Sequence, residues 1–298
     1  MIQRILCPLD LSDFSRRAFE HGLVLARWYG AQVTALHVFA GFMPPGDEST
    51  YPAWLRRVPE ARQEIDRELR EQVSSPLAEG MDVPLVLREG DPVTEILAQA
   101  KETAADLVVM STHGRSGFDR LTLGSVAYKV LRKSPCPVLV VPARATAPEG
   151  RFEGYRRVIC ATDFSDDSAR ALDLALSIAE RAGSRLTLVH VVEVAENPEV
   201  VEGESPLAVV RRERIAAARE RLRAIVAAHE GRGPAIDETV RLGRPYAELL
   251  ALAKEAEADL LVLGVRGRGA IDLTLFGSTT TQVVRRAACD VLTVARPQ

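Results

Sequence analysis

The sequence predicts an α/β protein made of two tandem copies of one doubly wound, parallel-sheet domain. Three observations predict it. The chain matches itself at a fixed offset of 153 residues. Inside each copy, apolar strand-length runs alternate with helical patterns, which requires crossover connections and a parallel sheet. A loop rich in glycine and closed by a hydroxyl follows the fourth strand of each copy.

The offset is visible residue by residue. Cys7 falls on Cys160, Asp10 on Asp163, Gly30 on Gly183, His37-Val38 on His190-Val191, Gly90 on Gly243, Gly114 on Gly267, Gly124-Ser125 on Gly277-Ser278 and Cys136 on Cys289. Without gaps, segments 4–40 and 90–143 agree with their shifted copies at about 37 of 91 positions, far above chance for one fixed offset. The expected domains are 1–144 and 155–298, joined by a linker at 145–154 whose Pro148 and Gly150 suit a boundary.

The first copy reads in order. Arg4 to Pro8 is a strand. Ser12-Asp13 opens a helix that runs to Tyr29 and stops at Gly30. Gln32 to Ala40 is the second strand, and Gly41 to Pro52 a loop. Trp54 to Glu79 is a charged amphipathic helix, with Leu55, Val58, Ile65, Leu69 and Val73 near helical spacing. Val83 to Arg88 is the third strand. Asp91-Pro92 begins a helix through Glu102, with proline in its first turn. Asp106 to Met110 is the fourth strand; the glycine loop, a helix from Gly124 to Lys133 and a last strand from Cys136 to Val141 follow. The second copy repeats this plan, with Leu207 to His229 as its long helix.

Bulk properties narrow the function classes. The 298 residues carry a net charge of −3, with 47% apolar and 27% charged side chains, which fits a globular domain pair. That charge argues against non-specific nucleic-acid binding and against a polybasic membrane anchor. No apolar run approaches a membrane span, and MIQRILCPLDLS has no signal-peptide anatomy, so the expected compartment is the cytoplasm. The four cysteines lie in or at the start of apolar strands with no C-x-x-C or zinc spacing, and read as small buried hydrophobes.

The most informative stretch is Gly264 to Thr281. It follows a buried-strand run, Ala258 to Leu263, and precedes the helix that continues through Arg286. Gly264, Gly267 and Gly277 allow close backbone approach, and Ser278, Thr279, Thr280 and Thr281 crowd the helix N-terminus, where hydroxyls are expected to cap while free N–H groups point outward. Strand, glycine loop and hydroxyl-rich helix start together suit an anion, with phosphate the natural ligand; a plain loop with an N-cap serine is the competing reading. In a doubly wound sheet ligands bind at the carboxyl ends of strands, where the strand order reverses. The loop stands at the end of strand four and Asp163 at the end of strand one, so neighbouring strands would turn both toward one crevice.

With repeat, aspartate and loop assembled, the chain resembles the tandem universal stress proteins of the ATP-binding branch. VICATDFSDDS at 158–168, LVHVVE at 188–193, GRP at 243–245, ADLLVLGVRGRG at 258–269 and LFGSTT at 275–280 carry the resemblance, which covers nearly the whole chain twice. It implies a flavodoxin-like (Rossmann-like) fold with sheet order 3-2-1-4-5 and helices on both faces. It also implies ATP as ligand, with Mg2+ left open as its companion. By position, Asp163 and the backbone of Val191 would hold adenine, Ala161 and Gly264 would lie near ribose, and Gly267, Gly277, Ser278 and Thr279 would hold phosphates. In the first copy the same places are Asp10, Val38, Pro8, Ser111, Gly114, Gly124, Ser125 and Val126. Ser111 departs from the pattern, since the family has its first glycine there; its side chain would either crowd ribose or hydrogen-bond it.

Other residues carry less. Arg115 and Arg268, which match under the offset, and Arg266, whose loop position His113 takes in the first copy, would either neutralise phosphate or stand exposed. Asp119 and Asp272 suit a helix cap or a magnesium-bound water. His37 and His190 read as packed strand residues rather than catalysts, and no tight metal spacing exists. No G-x4-G-K-[ST] is present, and GRGAID at 267–272 is not a dinucleotide fingerprint. The expected function is therefore a nucleotide-binding regulator of the stress response whose ATP hydrolysis is slow or absent, for want of a designated general base. A stress scaffold without nucleotide is the alternative, and a true ATPase or nucleotidyl transferase a third. Expected partners are an adenine nucleotide and unidentified proteins, with no nucleic acid or membrane, in a monomer of tandem domains or a homodimer.

Overall fold

A computed structural model describes residues 2–39, 51–112, 123–143, 152–194, 206–231, 233–265 and 277–295. The chain divides into two compact units, Met1–Ala143 and Arg144–Gln298.

The first unit runs β1 (Arg4–Leu9), α1 (Asp13–Tyr29), β2 (Gln32–Phe39), α2 (Tyr51–Val73), β3 (Leu85–Glu89), α3 (Pro92–Glu102), β4 (Leu107–Ser111), α4 (Ser125–Lys133) and β5 (Val138–Val141). Its strands are parallel in the order β3-β2-β1-β4-β5, with Cys7 opposite Ala35 and Val109 opposite Leu139. The second unit runs β6 (Arg157–Ala161), α5 (Asp166–Ala182), β7 (Arg185–Glu193), α6 (Pro206–His229), β8 (Ile236–Gly243), α7 (Pro245–Glu255), β9 (Leu260–Gly264), α8 (Ser278–Arg286) and β10 (Asp290–Val294). Its order is β8-β7-β6-β9-β10, again parallel. Each unit thus has the flavodoxin-like order 3-2-1-4-5 that the resemblance implies.

The core follows from the strand sequences. β4, β5 and β10 are buried at every position, as parallel strands covered on both faces must be. α1 lays Phe19, Leu23 and Ala26 on β1 and β4, and α5 lays Leu172, Ala175 and Ile178 on β6 and β9. Ser12 and Ser165 cap these helices by accepting from the N–H groups of Ser15 and Ser168, and Gly30 and Gly183 end them in the left-handed region. The strand entrances are tied alike in both units. Asp106 accepts from the N–H groups of Gln3 and Arg4 at 2.8 and 2.9 Å, and Asp259 from those of Arg156 and Arg157 at 2.7 and 2.8 Å.

Several boundaries differ from the sequence reading by a few residues: α2 begins at Tyr51 rather than Trp54, inside the expected loop, β4 spans Leu107–Ser111, and three further shifts have a local cause. The long helix of the first unit ends at Val73 rather than Glu79, because Pro76 has no N–H to continue the ladder; Ser75 caps a separate 3-10 turn over Pro76–Ala78. β3 starts at Leu85, after Pro84, whose carbonyl still accepts from the Ala35 N–H at 2.9 Å. β5 starts at Val138, because the Ser134 hydroxyl turns back on Cys136, donating to its carbonyl at 2.8 Å and accepting from its N–H at 3.3 Å.

The four cysteines are buried free thiols. Burial pushes Cys136 up to about 11 and, with help from the Asp290 carboxylate, Cys289 up to about 12; Cys7 and Cys160 are raised further. A buried polar pair of the second unit has no counterpart in the first. The Tyr155 hydroxyl donates to Asp290 at 2.8 Å, where the matching positions are Ile2 and Pro137. Among the described residues no helix is long and apolar enough to cross a membrane.

Candidate functional site

The site of the second unit grows from the end of β6. Ala161 is its last residue, and Thr162 and Asp163 carry the chain toward α5. Asp163 Oδ1 accepts from the Ser165 N–H at 3.1 Å and from its hydroxyl at 2.5 Å, which turns the chain into the helix. Phe164, between them, has φ of 63°, an unusual conformation for a bulky side chain. Its N–H donates to Thr162 Oγ1 at 3.0 Å, and that hydroxyl also meets Ser168 Oγ at 3.1 Å. The Phe164 ring lies 4.4 Å from the His190 ring, tilted by 35°, and the Arg221 guanidinium sits 3.9 Å from the ring centre.

His190 is a strand residue in structural use. Its Nδ1 lies 2.7 Å from the Thr162 carbonyl, an atom that only accepts, so Nδ1 carries the proton. His37 repeats the contact on the Leu9 carbonyl at 2.7 Å.

At the other side, β9 delivers Gly264 and α8 begins at Ser278 behind an N-cap glycine, Gly277. Close approach explains both glycines. A Cβ on Gly264 would stand 2.9 Å from the backbone of Asp167 and Ser168, so its absence lets β9 pack under the start of α5. A Cβ on Gly277 would stand 3.0 Å from the Val265 carbonyl, which accepts from the Gly277 N–H at 3.1 Å. In the first unit Ser111 occupies the place of Gly264 at the end of β4 and is buried, while Gly124 repeats the Gly277 contact on the Thr112 carbonyl.

The hydroxyls of α8 do not cap it, contrary to the sequence expectation. Thr280 Oγ1 donates to the Gly264 carbonyl at 3.1 Å and Thr281 Oγ1 to the Gly277 carbonyl at 3.1 Å; no side chain caps the helix. The physical reason is position: the N-cap is the glycine, and the hydroxyls start one residue inside, where they reach carbonyls instead. The first-turn N–H groups are left to the cleft, with the positive end of the helix dipole behind them.

The structure brings Ala161, Asp163, Val191, Gly264, Gly277, Ser278 and Thr279 onto the wall of one cleft of about 930 Å³. In the first unit Pro8 lies in β1, Asp10 just beyond it, Val38 in β2 and Ser111 at the end of β4; Gly124 is the N-cap of α4, and Ser125 and Val126 are its first residues. Asp10 repeats the turn of Asp163, accepting from the Ser12 N–H at 3.2 Å and its hydroxyl at 2.6 Å. Gly267 and Gly114 lie outside the described residues, as do Arg115, Arg266, Arg268, His113, Asp119 and Asp272. Among the described residues no three His, Cys, Asp or Glu side chains come together as metal ligands do. Sequence reasoning missed Phe164, Arg214 and Arg221 as cleft residues. Phe164 sat inside the quoted motif, but the α6 arginines resembled any solvated helix face.

Residues 1–142 and 154–295 each match the universal stress protein family. The chain belongs to the universal stress protein family. A universal stress protein of Mycolicibacterium smegmatis is 27% identical over 99% of this chain and 97% of its own length, so the likeness spans both units. Universal stress protein MJ0531 of Methanocaldococcus jannaschii is 34% identical over 47% of this chain and 82% of its own length. A solved universal stress protein from Archaeoglobus fulgidus covers 99% of this chain with 97% of its own, at 23% identity and a TM-score of 0.62, a likeness of fold.

Proposed function

We propose that this universal stress protein is an adenine-nucleotide-binding regulator, with ATP held in the cleft of the second unit and hydrolysed slowly or not at all. The observation that carries the reading is the convergence of seven motif residues on one cleft whose far end is an uncapped helix N-terminus. The volume, about 930 Å³, falls in the range of small-molecule and cofactor sites. The residues fit the ligand. Asp163 and Val191 stand at the base end, Ala161 and Gly264 at the ribose, and the N–H groups of Ser278 and Thr279 face the phosphates, where a helix start favours an anion. Magnesium, if it accompanies ATP, would be held chiefly by phosphate oxygens. Asp10, Val38, Pro8, Ser111, Gly124, Ser125 and Val126 hold the same relation to β1, β2, β4 and α4 in the first unit, and we propose them as the second site. The cytoplasm is the proposed compartment.

Calorimetric titration with ATP, ADP and AMP, paired with thermal unfolding, tests the reading. Binding should raise stability by about 2.7 kcal/mol at a ligand concentration 100 times Kd. Turnover should stay far below the ordinary enzyme range of about 1–10³ per second. No heat and no stabilisation with any of the three nucleotides would replace the reading with a nucleotide-free scaffold.

A further inference from the structure

The cleft has a cation at the end away from the α8 N-terminus. Phe164 directly follows Asp163, and His190 directly precedes Val191, so the His190–Phe164–Arg221 stack stands beside the two residues proposed to hold the base. Arg221 comes from α6, is exposed and lines the cleft. One face of its guanidinium lies on the Phe164 ring. Other arginines of the unit are paired, Arg223 with Glu238, Arg157 with Glu257 and Arg241 with Glu255. Arg221 has no carboxylate within ion-pair distance among the described residues.

A guanidinium is planar, weakly hydrated and stacks on aromatic faces on either side. With Phe164 holding one face, a flat ring that lands on the other meets a guanidinium already oriented, so little side-chain entropy is lost. The left-handed backbone at Phe164 is what turns the ring to this position. The first unit holds the same conformation, φ of 63°, at Leu11, whose aliphatic side chain cannot make the platform. The second unit thus carries an aromatic ring, and at the matching α6 position Arg221, where the first unit has Leu11 and Glu68.

We propose that Arg221, seated on Phe164, is the base-recognition residue of the second unit's cleft. It sandwiches the aromatic base of a nucleotide between its guanidinium and the strand ends, and it makes this unit prefer ligands with a planar base over phosphates alone. The inference rests on the nucleotide reading above and adds to it a residue outside the motif.

The test titrates the full chain and its Arg221→Ala, Arg221→Lys and Phe164→Leu variants with ATP, adenosine and inorganic tripolyphosphate. Phe164→Leu copies the first unit's residue onto a backbone that accepts it, and Arg221 is exposed, so each variant should fold; circular dichroism melting checks this. Arg221→Ala should weaken ATP and adenosine alike by about 2- to 30-fold and leave tripolyphosphate unchanged. Arg221→Lys should lose most of the same factor, since charge without a planar face does not stack. Phe164→Leu should act in the same direction, and the double variant should be no worse than the stronger single one. Arg214→Ala, which removes a cleft cation that has no ring beneath it among the described residues, should spare adenosine. Unchanged ATP and adenosine affinity in the Arg221 and Phe164 variants would overturn the proposal while leaving the nucleotide reading standing. A loss shared by tripolyphosphate would overturn it too, making Arg221 a phosphate ligand. Wild-type protein that binds neither ATP nor adenosine would overturn the nucleotide reading and this inference with it.

Discussion

Ser278→Pro separates the backbone of the phosphate site from its side chains. Ser278 is the first residue of α8 and is exposed, and Gly277 before it has φ of −55° and ψ of 137°. Proline is favoured at this helix position, where its missing N–H has no partner within the helix, and the extended ψ of Gly277 is what a residue before proline requires. The substitution should therefore leave α8 and the stability of the unit nearly unchanged while deleting one N–H aimed at the proposed phosphates. A hydrogen bond to a charged group contributes about 1.5–3 kcal/mol, so ATP affinity should fall by about 10- to 150-fold. Ser278→Ala keeps the N–H and removes only the hydroxyl; it should stay near wild type, and the difference between the two variants isolates the backbone donor. Calorimetry gives the affinities, and circular dichroism melting verifies the helix. Equal ATP affinity in Ser278→Pro and wild type, with the fold intact, would refute the placement of phosphate at the α8 N-terminus.

Three further outcomes follow from the geometry. Gly264→Ala puts a Cβ 2.9 Å from the Asp167–Ser168 backbone and should destabilise the second unit by about 1–3 kcal/mol. Both tryptophans, Trp28 and Trp54, belong to the first unit, so hydrogen exchange in β9 and the first turn of α5 is the proper readout, and unchanged exchange there would contradict the close approach. Tyr155→Phe removes a donor from the buried Asp290 carboxylate and should cost about 1.5–3 kcal/mol in urea unfolding; a cost below about 0.5 kcal/mol would mean the bond contributes nothing net. The thiols of Cys136 and Cys289, raised from 9.0 to about 11 and about 12, should resist iodoacetamide at pH 8 in the native protein and react on unfolding. Because their folded values lie above the unfolded ones, their contribution to stability is complete below pH 9 and is lost as pH rises toward 11 and 12; rapid native labelling at pH 8 would contradict the burial.

The sheet was legible because its evidence is local and repeated twice. Parallel strands buried on both faces appear as apolar runs such as Leu107–Met110 and Leu260–Leu263, and the intervening helices carry their own start signals at Ser12, Asp91 and Ser165. The end of α2 was misjudged because the periodic pattern through Val73 was extended across Pro76, whose missing N–H breaks the ladder. Gly264 was read as a ligand neighbour, and the structure adds that it is where β9 meets the backbone of α5, a contact between residues far apart in sequence. The α8 hydroxyls were misread for a related reason, since Thr280 and Thr281 donate to the carbonyls of Gly264 and Gly277 and none of the hydroxyls caps the helix. The seven motif residues that line the cleft were named from the resemblance, and they stand at the end of β6 (Ala161, Asp163), in β7 (Val191), at the end of β9 (Gly264) and at the start of α8 (Gly277, Ser278, Thr279). Arg214 and Arg221 were not named, because nothing local tells which face of a helix rich in arginine and alanine will overhang the end of β6.

The most direct test of the nucleotide reading is to denature the purified protein and identify what it releases by mass spectrometry, with stoichiometry per chain, before and after incubation with ATP and magnesium. Adenine nucleotide at one or two per chain is the predicted result; two means Ser111 is compatible with a working first site, and one that is lost in Ser278→Pro assigns the ligand to the cleft between Asp163 and Ser278. No nucleotide released, and none acquired on incubation, would contradict it.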